Sequence, residues 1–121
     1  MEKDHAVAAL AALAQDHRLA IFRLLVEAGP QGMPAGRVAD AVGLAPNTLT
    51  FHFDRLRDAG LVTVRREGRS MIYAAQYDTM NALLGYLTEN CCQGAQQDCL
   101  PAKSCKPARK PADAKRAKIR A

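Results

Sequence analysis

A chain of 121 residues with 17 Lys/Arg and 12 Asp/Glu has room for one domain and little else. Its charge is uneven: residues 1–100 carry −2 and residues 101–121 carry +7, so the folded part is not broadly basic and any DNA binding must come from local placement. No stretch approaches the length of a membrane span, and the start Glu2-Lys3-Asp4 ahead of an apolar run is wrong for a secretory leader; the chain reads as cytoplasmic.

Residues 5–14 are apolar and alanine-rich and suit a helix. Asp16 is the expected N-cap of a second helix, in which Leu19, Phe22, Leu25 and Val26 fall near one face. Gly29-Pro30-Gln31-Gly32 stops it. Residues 33–42 read as a short helix with Pro34 in its first turn, where a missing N–H costs nothing. Gly43 ends it, and Leu44-Ala45 is a tight connection. Pro46 opens a longer helix to about residue 59, with Leu49, Phe53 and Leu56 at i, i+4, i+7 facing inward and Gly60 as its stop. Residues 62–65 and 71–74 are two short β-prone runs with a turn at Glu67-Gly68. Met80, Leu83, Leu84 and Leu87 form a stripe on a final helix over residues 78–92, which Gly94 ends. Residues 100–121 have almost no large apolar side chains and are expected to be disordered in the free protein. The expected division is a folded domain over 1–94 and a flexible, cysteine-containing basic tail over 95–121.

This order predicts a mainly α fold with a two-stranded β wing: a winged helix-turn-helix. The second helix of such a motif enters the major groove by its N-terminal end. Its expected outward residues are Asn47, Thr48, Thr50 and His52, with Arg55 further along. Asn pairs with adenine; Thr hydrogen-bonds or packs on a thymine methyl. Phe51 is an unusual outward residue. Arg65, Arg66 and Arg69 surround Gly68 at the wing tip, where they can straddle the DNA backbone. Arg18 and Arg37, near helix starts, are expected at phosphates. The chain has no nucleophile–base pair, phosphate loop or paired catalytic carboxylates, which speaks against an enzyme.

All four cysteines lie within residues 91–105: Cys91, Cys92, Cys99 and Cys105. In a reducing cytosol such a cluster points to metal binding or redox chemistry rather than structural disulfides. Thiolates select soft ions, and trivalent arsenic or antimony takes three sulfurs in a pyramid. Structural zinc wants four ligands, and an adjacent pair fits its usual spacing poorly. Thiols lose protons on binding, so affinity should rise with pH. A disulfide redox switch and a cadmium, lead or zinc sensor stay open as alternatives. A metal-scavenging protein is the alternative from another class, and it leaves the winged helix unexplained.

Residues 10–75 resemble the ArsR/SmtB family of homodimeric bacterial repressors. The resemblance rests on Leu13-Ala14-Gln15-Asp16-His17-Arg18-Leu19-Ala20-Ile21, Pro46-Asn47-Thr48-Leu49-Thr50-Phe51-His52-Phe53, Leu56-Arg57-Asp58-Ala59-Gly60-Leu61-Val62 and the wing Arg66-Glu67-Gly68-Arg69. Thr50 and His52 occupy the family's Ser/Thr-x-His-apolar places. It implies a homodimer on double-stranded operator DNA, with the first and last helices as dimer interface. Val7, Leu10, Ala11 and Ala14 on one and Leu83, Leu84 and Leu87 on the other are the candidates, with Gly85 permitting close approach. Two of the family's inducer sites are absent: no cysteine precedes residue 91, and residues 78–90 hold no histidine. Glu89-Asn90-Cys91-Cys92 followed by Asp98-Cys99 is similar to an arsenic-responsive branch. That similarity implies Cys91, Cys92 and Cys99 as ligands of As(III), or of antimony or a methylated arsenical. Cys105 has no clear counterpart. The expected function is repression relieved when the metalloid binds.

Overall fold

Five helices and three short strands make up residues 1–91, which the computed structural model describes. The chain runs α1 (Lys3–Leu13), α2 (Asp16–Ala28), β1 (Met33–Pro34), α3 (Ala35–Val42), α4 (Pro46–Asp58), β2 (Val62–Glu67), β3 (Ser70–Ala75) and α5 (Tyr77–Leu87). One unit spans Met1–Tyr86. No helix among the described residues is long and apolar enough to cross a membrane.

Helix α1 buries only alanines. Ala6, Ala9 and Ala12 are buried, while Val7 is 58% and Leu10 42% exposed. Helix α2 is capped by Gln15 rather than Asp16: the Gln15 Oε1 accepts the Arg18 N–H at 3.0 Å. Asp16 instead sits in the first turn, where a carboxylate complements the helix dipole. The buried face is Ile21, Phe22 and Leu25, and Leu19 is 46% exposed. Positions 18, 21, 22 and 25 share that face at helical spacing, so Arg18 takes the place expected for an apolar residue.

The helix expected from residue 33 begins at Ala35. Met33 and Pro34 are a strand, paired antiparallel with Tyr73 and Ile72, so the sheet has three strands in the order β1-β3-β2. Proline lacks the N–H that an inner strand must donate, which suits it to this edge. Gly32 sets the approach. Its φ is +77°, and a Cβ there would run into the carbonyl oxygen of Tyr73. The wing pairs β2 with β3 from Val62↔Ala75 to Glu67↔Ser70. Its turn is therefore Gly68-Arg69, one residue later than expected, with Gly68 at φ +61° as a two-residue hairpin favours.

The core joins these elements. Phe53 of α4 stacks on Tyr73 of β3, centroids 3.6 Å apart and planes 3° from parallel. Ile21, Leu25, Val38, Leu56 and Leu61 are fully buried beside them; each such side chain contributes roughly 1.5–3 kcal/mol. The Tyr77 hydroxyl donates to the Val26 carbonyl at 2.9 Å. Of the stripe on α5, Leu83 is buried, Met80 is partly buried and Leu84 is 41% exposed. Leu87, its last residue, is exposed too.

Helix α5 stops at Leu87, not near residue 92. Thr88, Glu89 and Asn90 form turns, Asn90 in the left-handed region at φ +59°, which asparagine tolerates better than most residues. The Cys91 N–H donates to the Thr88 carbonyl at 2.9 Å. The expected stop at Gly94, the boundary at 94 and the tail 95–121 lie outside the described residues.

Candidate nucleic-acid interface

A glycine turn aims α4. Gly43 closes α3 with φ +71°, and the N–H groups of Gly43 and Leu44 both donate to the Ala39 carbonyl. Ala45 is extended and Pro46 takes the first helical position, which its ring favours. No side chain caps this end of α4. Helix, glycine turn and helix thus form a helix-turn-helix, and the β2–β3 hairpin is its wing.

Along α4, Leu49, His52, Phe53 and Leu56 are buried. Asn47, Thr48, Thr50, Phe51 and Arg55 are exposed. The Thr50 hydroxyl donates back to the Pro46 carbonyl at 3.0 Å. The Arg55 guanidinium lies 5.0 Å from the Phe51 ring centre, a cation–π distance. Phe51 therefore packs locally, with 51% of its surface still open. The exposed acids Asp54 and Asp58 make the second half of α4 less welcoming to a polyanion. The Asp54–Arg57 contact, 3.9 Å and exposed, contributes little.

His52 departs from the expected outward set: it is 6% exposed. Its Nδ1 lies 3.5 Å from Nη1 of Arg18, and its ring is 5.6 Å from that of His17. Burial first, then the charges of Arg18 and His17, hold its pKa below the ordinary 6.5. Sequence carried the signal. Positions 49, 52, 53 and 56 follow i, i+3, i+4, i+7, the spacing of one helix face.

The arginines divide by what already holds them. Arg65 donates from Nε to Glu67 Oε2 at 2.7 Å and from Nη2 to the Gln31 carbonyl at 2.9 Å. Arg66 donates to the Gly68 carbonyl at 3.2 Å at the tip, and Arg69 is exposed in the turn. Arg18, expected at a phosphate, is half-buried and donates from Nε to the Ala12 carbonyl at 2.6 Å. Arg37 is exposed on α3. Five of the nine Lys/Arg of residues 1–100 lie between Arg55 and Arg69; Asp54 and Asp58 balance the two on α4, so the net positive charge sits on the wing.

Residues 13–65 match a family described as a helix-turn-helix domain. Over 77 residues the chain is 34% identical to the HTH-type transcriptional regulator YceK of Bacillus subtilis, covering 63% of this chain and 76% of that protein. The crystal structure of NolR from Sinorhizobium fredii is similar at a TM-score of 0.58, with 34% identity over 71% of this chain and 83% of that one. A homodimeric winged helix-turn-helix DNA-binding domain from Mycobacterium bovis, a possible ArsR-family transcriptional regulator, is similar at 0.58, with 28% identity over 72% of this chain and 81% of that one. The chain belongs to the ArsR family of winged helix-turn-helix transcriptional regulators. In this ArsR-family regulator Cys91 is half-exposed, four residues after α5 ends. Among the described residues no group of three His, Cys, Asp or Glu is placed to hold a metal. Cys92, Cys99 and Cys105 lie outside them.

Proposed function

We propose that this ArsR-family regulator is a homodimeric repressor that holds double-stranded operator DNA through α4 and the wing. It releases the DNA when trivalent arsenic or antimony is bound by the thiolates of Cys91, Cys92 and Cys99. One observation carries the inducer reading: a helix-turn-helix chain places all its cysteines within residues 91–105, beginning with an adjacent pair just past α5. Because α5 stops at Leu87, Cys91 lies beyond that helix, in a 3-10 turn, and three thiolates match the pyramidal geometry of these ions.

The DNA half is supported by exposed Asn47, Thr48, Thr50 and Arg55 on α4 and exposed Arg66 and Arg69 on the wing. The dimer half is supported by Val7, Leu10 and Leu84, large apolar groups left in water on α1 and α5. Clamping three thiols to one atom restrains the chain just after α5. That resets the helix end and the spacing of the two recognition helices, which must match half-sites about one DNA turn apart. A coupling of ~1–3 kcal/mol weakens operator binding roughly 5–150-fold.

The test is fluorescence anisotropy on the protein's own upstream DNA, titrated with arsenite under reducing conditions. Release is expected for wild type and Cys105→Ser and is expected to fail for Cys91→Ser, Cys92→Ser and Cys99→Ser. Operator affinity indifferent to arsenite would refute the inducer. Loss of thiols after mild peroxide, with DNA release, would replace it by a disulfide switch.

A further inference from the structure

Arg18 and His52 are the polar members of two otherwise apolar faces, and they meet. Arg18 stands on the inward side of α2 with Ile21, Phe22 and Leu25; His52 stands on the inward side of α4 with Leu49, Phe53 and Leu56. The guanidinium reaches two elements at once. Nε donates to the Ala12 carbonyl at 2.6 Å, near the C-terminal end of α1, where the last carbonyls lack a partner in their own helix. Nη1 lies 3.5 Å from Nδ1 of the buried ring. Arginine has no acceptor. Nδ1 must therefore accept, and the ring proton must sit on Nε2.

We propose that Arg18 is a positioning residue for DNA recognition: it ties the end of α1 to the buried ring of His52 and so fixes the pose in which α4 presents Asn47, Thr48 and Thr50. This rests on the DNA-binding reading above. Nothing in a greasy contact would require these two residues. Leucine at both positions would bury more apolar surface and would spare the cost of placing a cation beside a buried imidazole. What the pair adds is direction. Alanine contacts between α1 and the core are small and smooth, whereas a fork of N–H donors holds an angle. Arg18 also lines, with Ala8, Ala11, Ala12, Phe51 and Arg55, the cleft of about 410 Å³ between α1 and α4. A lost link would let α4 shift into that space.

The link works only with the ring neutral. The charges that act on His52 are Arg18 and His17, both from α2. Both oppose protonation, as does burial. Acid that does protonate the ring removes the acceptor and sets two cations against each other. Operator affinity should therefore fall as pH drops below the ordinary imidazole range, roughly pH 6.5.

The experiment measures operator affinity of the full-length protein by anisotropy from about pH 7.5 to about pH 5.5, with thermal melts alongside. The variants are Arg18→Met, His52→Leu and His52→Asn. Asparagine offers an oxygen near the place of Nδ1 and does not protonate. Arg18→Met and His52→Leu are expected to lose operator affinity roughly tenfold while remaining folded. His52→Asn is expected to keep wild-type affinity and to lose the acid-side fall. Equal affinity in all four proteins, or an acid-side fall that persists in His52→Asn, would overturn the proposal. So would losses in Arg18→Met and His52→Leu that merely track lowered melting temperature. A wild type with no specific operator signal would instead sink the DNA-binding reading and this proposal with it.

Discussion

The exposed side of α4 with the wing and the exposed sides of α1 and α5 are built by opposite rules. On the first, the large apolar groups other than Phe51 and Met71 point in, and short polar or cationic ones point out, from Asn47 and Thr48 to Arg66 and Arg69. On α1 the buried residues are all alanines, Ala6, Ala9 and Ala12, while Val7 and Leu10 are exposed, and α5 leaves Leu84 exposed as well. Single exposed apolar residues are ordinary, but a helix whose buried residues are all alanines while Val7 and Leu10 stand exposed is not finished by its own chain. The contrast teaches that one side is complete as folded, while the other gains from more protein.

The sharpest way to break this contrast is to charge the apolar side. Leu10→Asp combined with Leu84→Asp should convert a dimer to monomer in sedimentation velocity. Operator affinity should fall roughly 100-fold or more, because two linked half-site contacts become one. Unchanged sedimentation would mean that these residues serve no self-association. Next in size is Asn47→Ala, expected to cost ~1–3 kcal/mol and to relax selectivity at a single base position. Anisotropy on operators substituted one base at a time reads this directly; a uniform loss would reassign Asn47 to backbone positioning. Smaller again are the wing arginines. Arg66→Ala or Arg69→Ala should each reduce the slope of log affinity against log salt by about 0.9. Arg65→Ala should leave the slope nearly as it was, since Glu67 and the Gln31 carbonyl already hold that guanidinium. The smallest effect concerns the fold itself. His52 has its pKa lowered from 6.5 by burial, then by Arg18 and His17. The unfolded chain takes up this proton first as pH falls, so the group's stability is complete above about pH 6.5 and is lost below it. Urea melts of wild type against His52→Asn should show that difference; a gain in stability on acidification would show the ring charged in the folded state.

Periodicity makes most of this molecule legible in its sequence. The inward set Leu49, Phe53 and Leu56, the glycine turn at 43 and the two wing strands are where their spacing puts them. The misses share a cause: each is a place where tertiary contact outweighs residue type. A polar residue was assigned to the surface at position 52, yet its spacing belongs to the buried stripe. An apolar residue was assigned inward at position 19, where Arg18 holds the face instead. Met33–Pro34 became a strand because β3 offers it partners, and two residues are too few to show any period. The regular leucine stripe suggests a helix to residue 92, but Thr88, Glu89 and Asn90 carry no apolar side chain to keep it packed. Of the candidate inducer ligands, only Cys91 lies within the described residues, so the thiol half of the reading rests on sequence and chemistry.

The bond from Thr50 to the Pro46 carbonyl has a consequence for the alphabet that the recognition helix can spell. With its only hydroxyl proton committed, Thr50 can offer a base edge a lone pair and a methyl group. A lone pair matches the amino groups of cytosine and adenine, and a methyl matches that of thymine, while guanine shows this edge two acceptors. A base edge set against Thr50 would thus be chosen by exclusion. Selection from a randomised duplex pool should return a site depleted of guanine at one position in each half, read on the contacted strand.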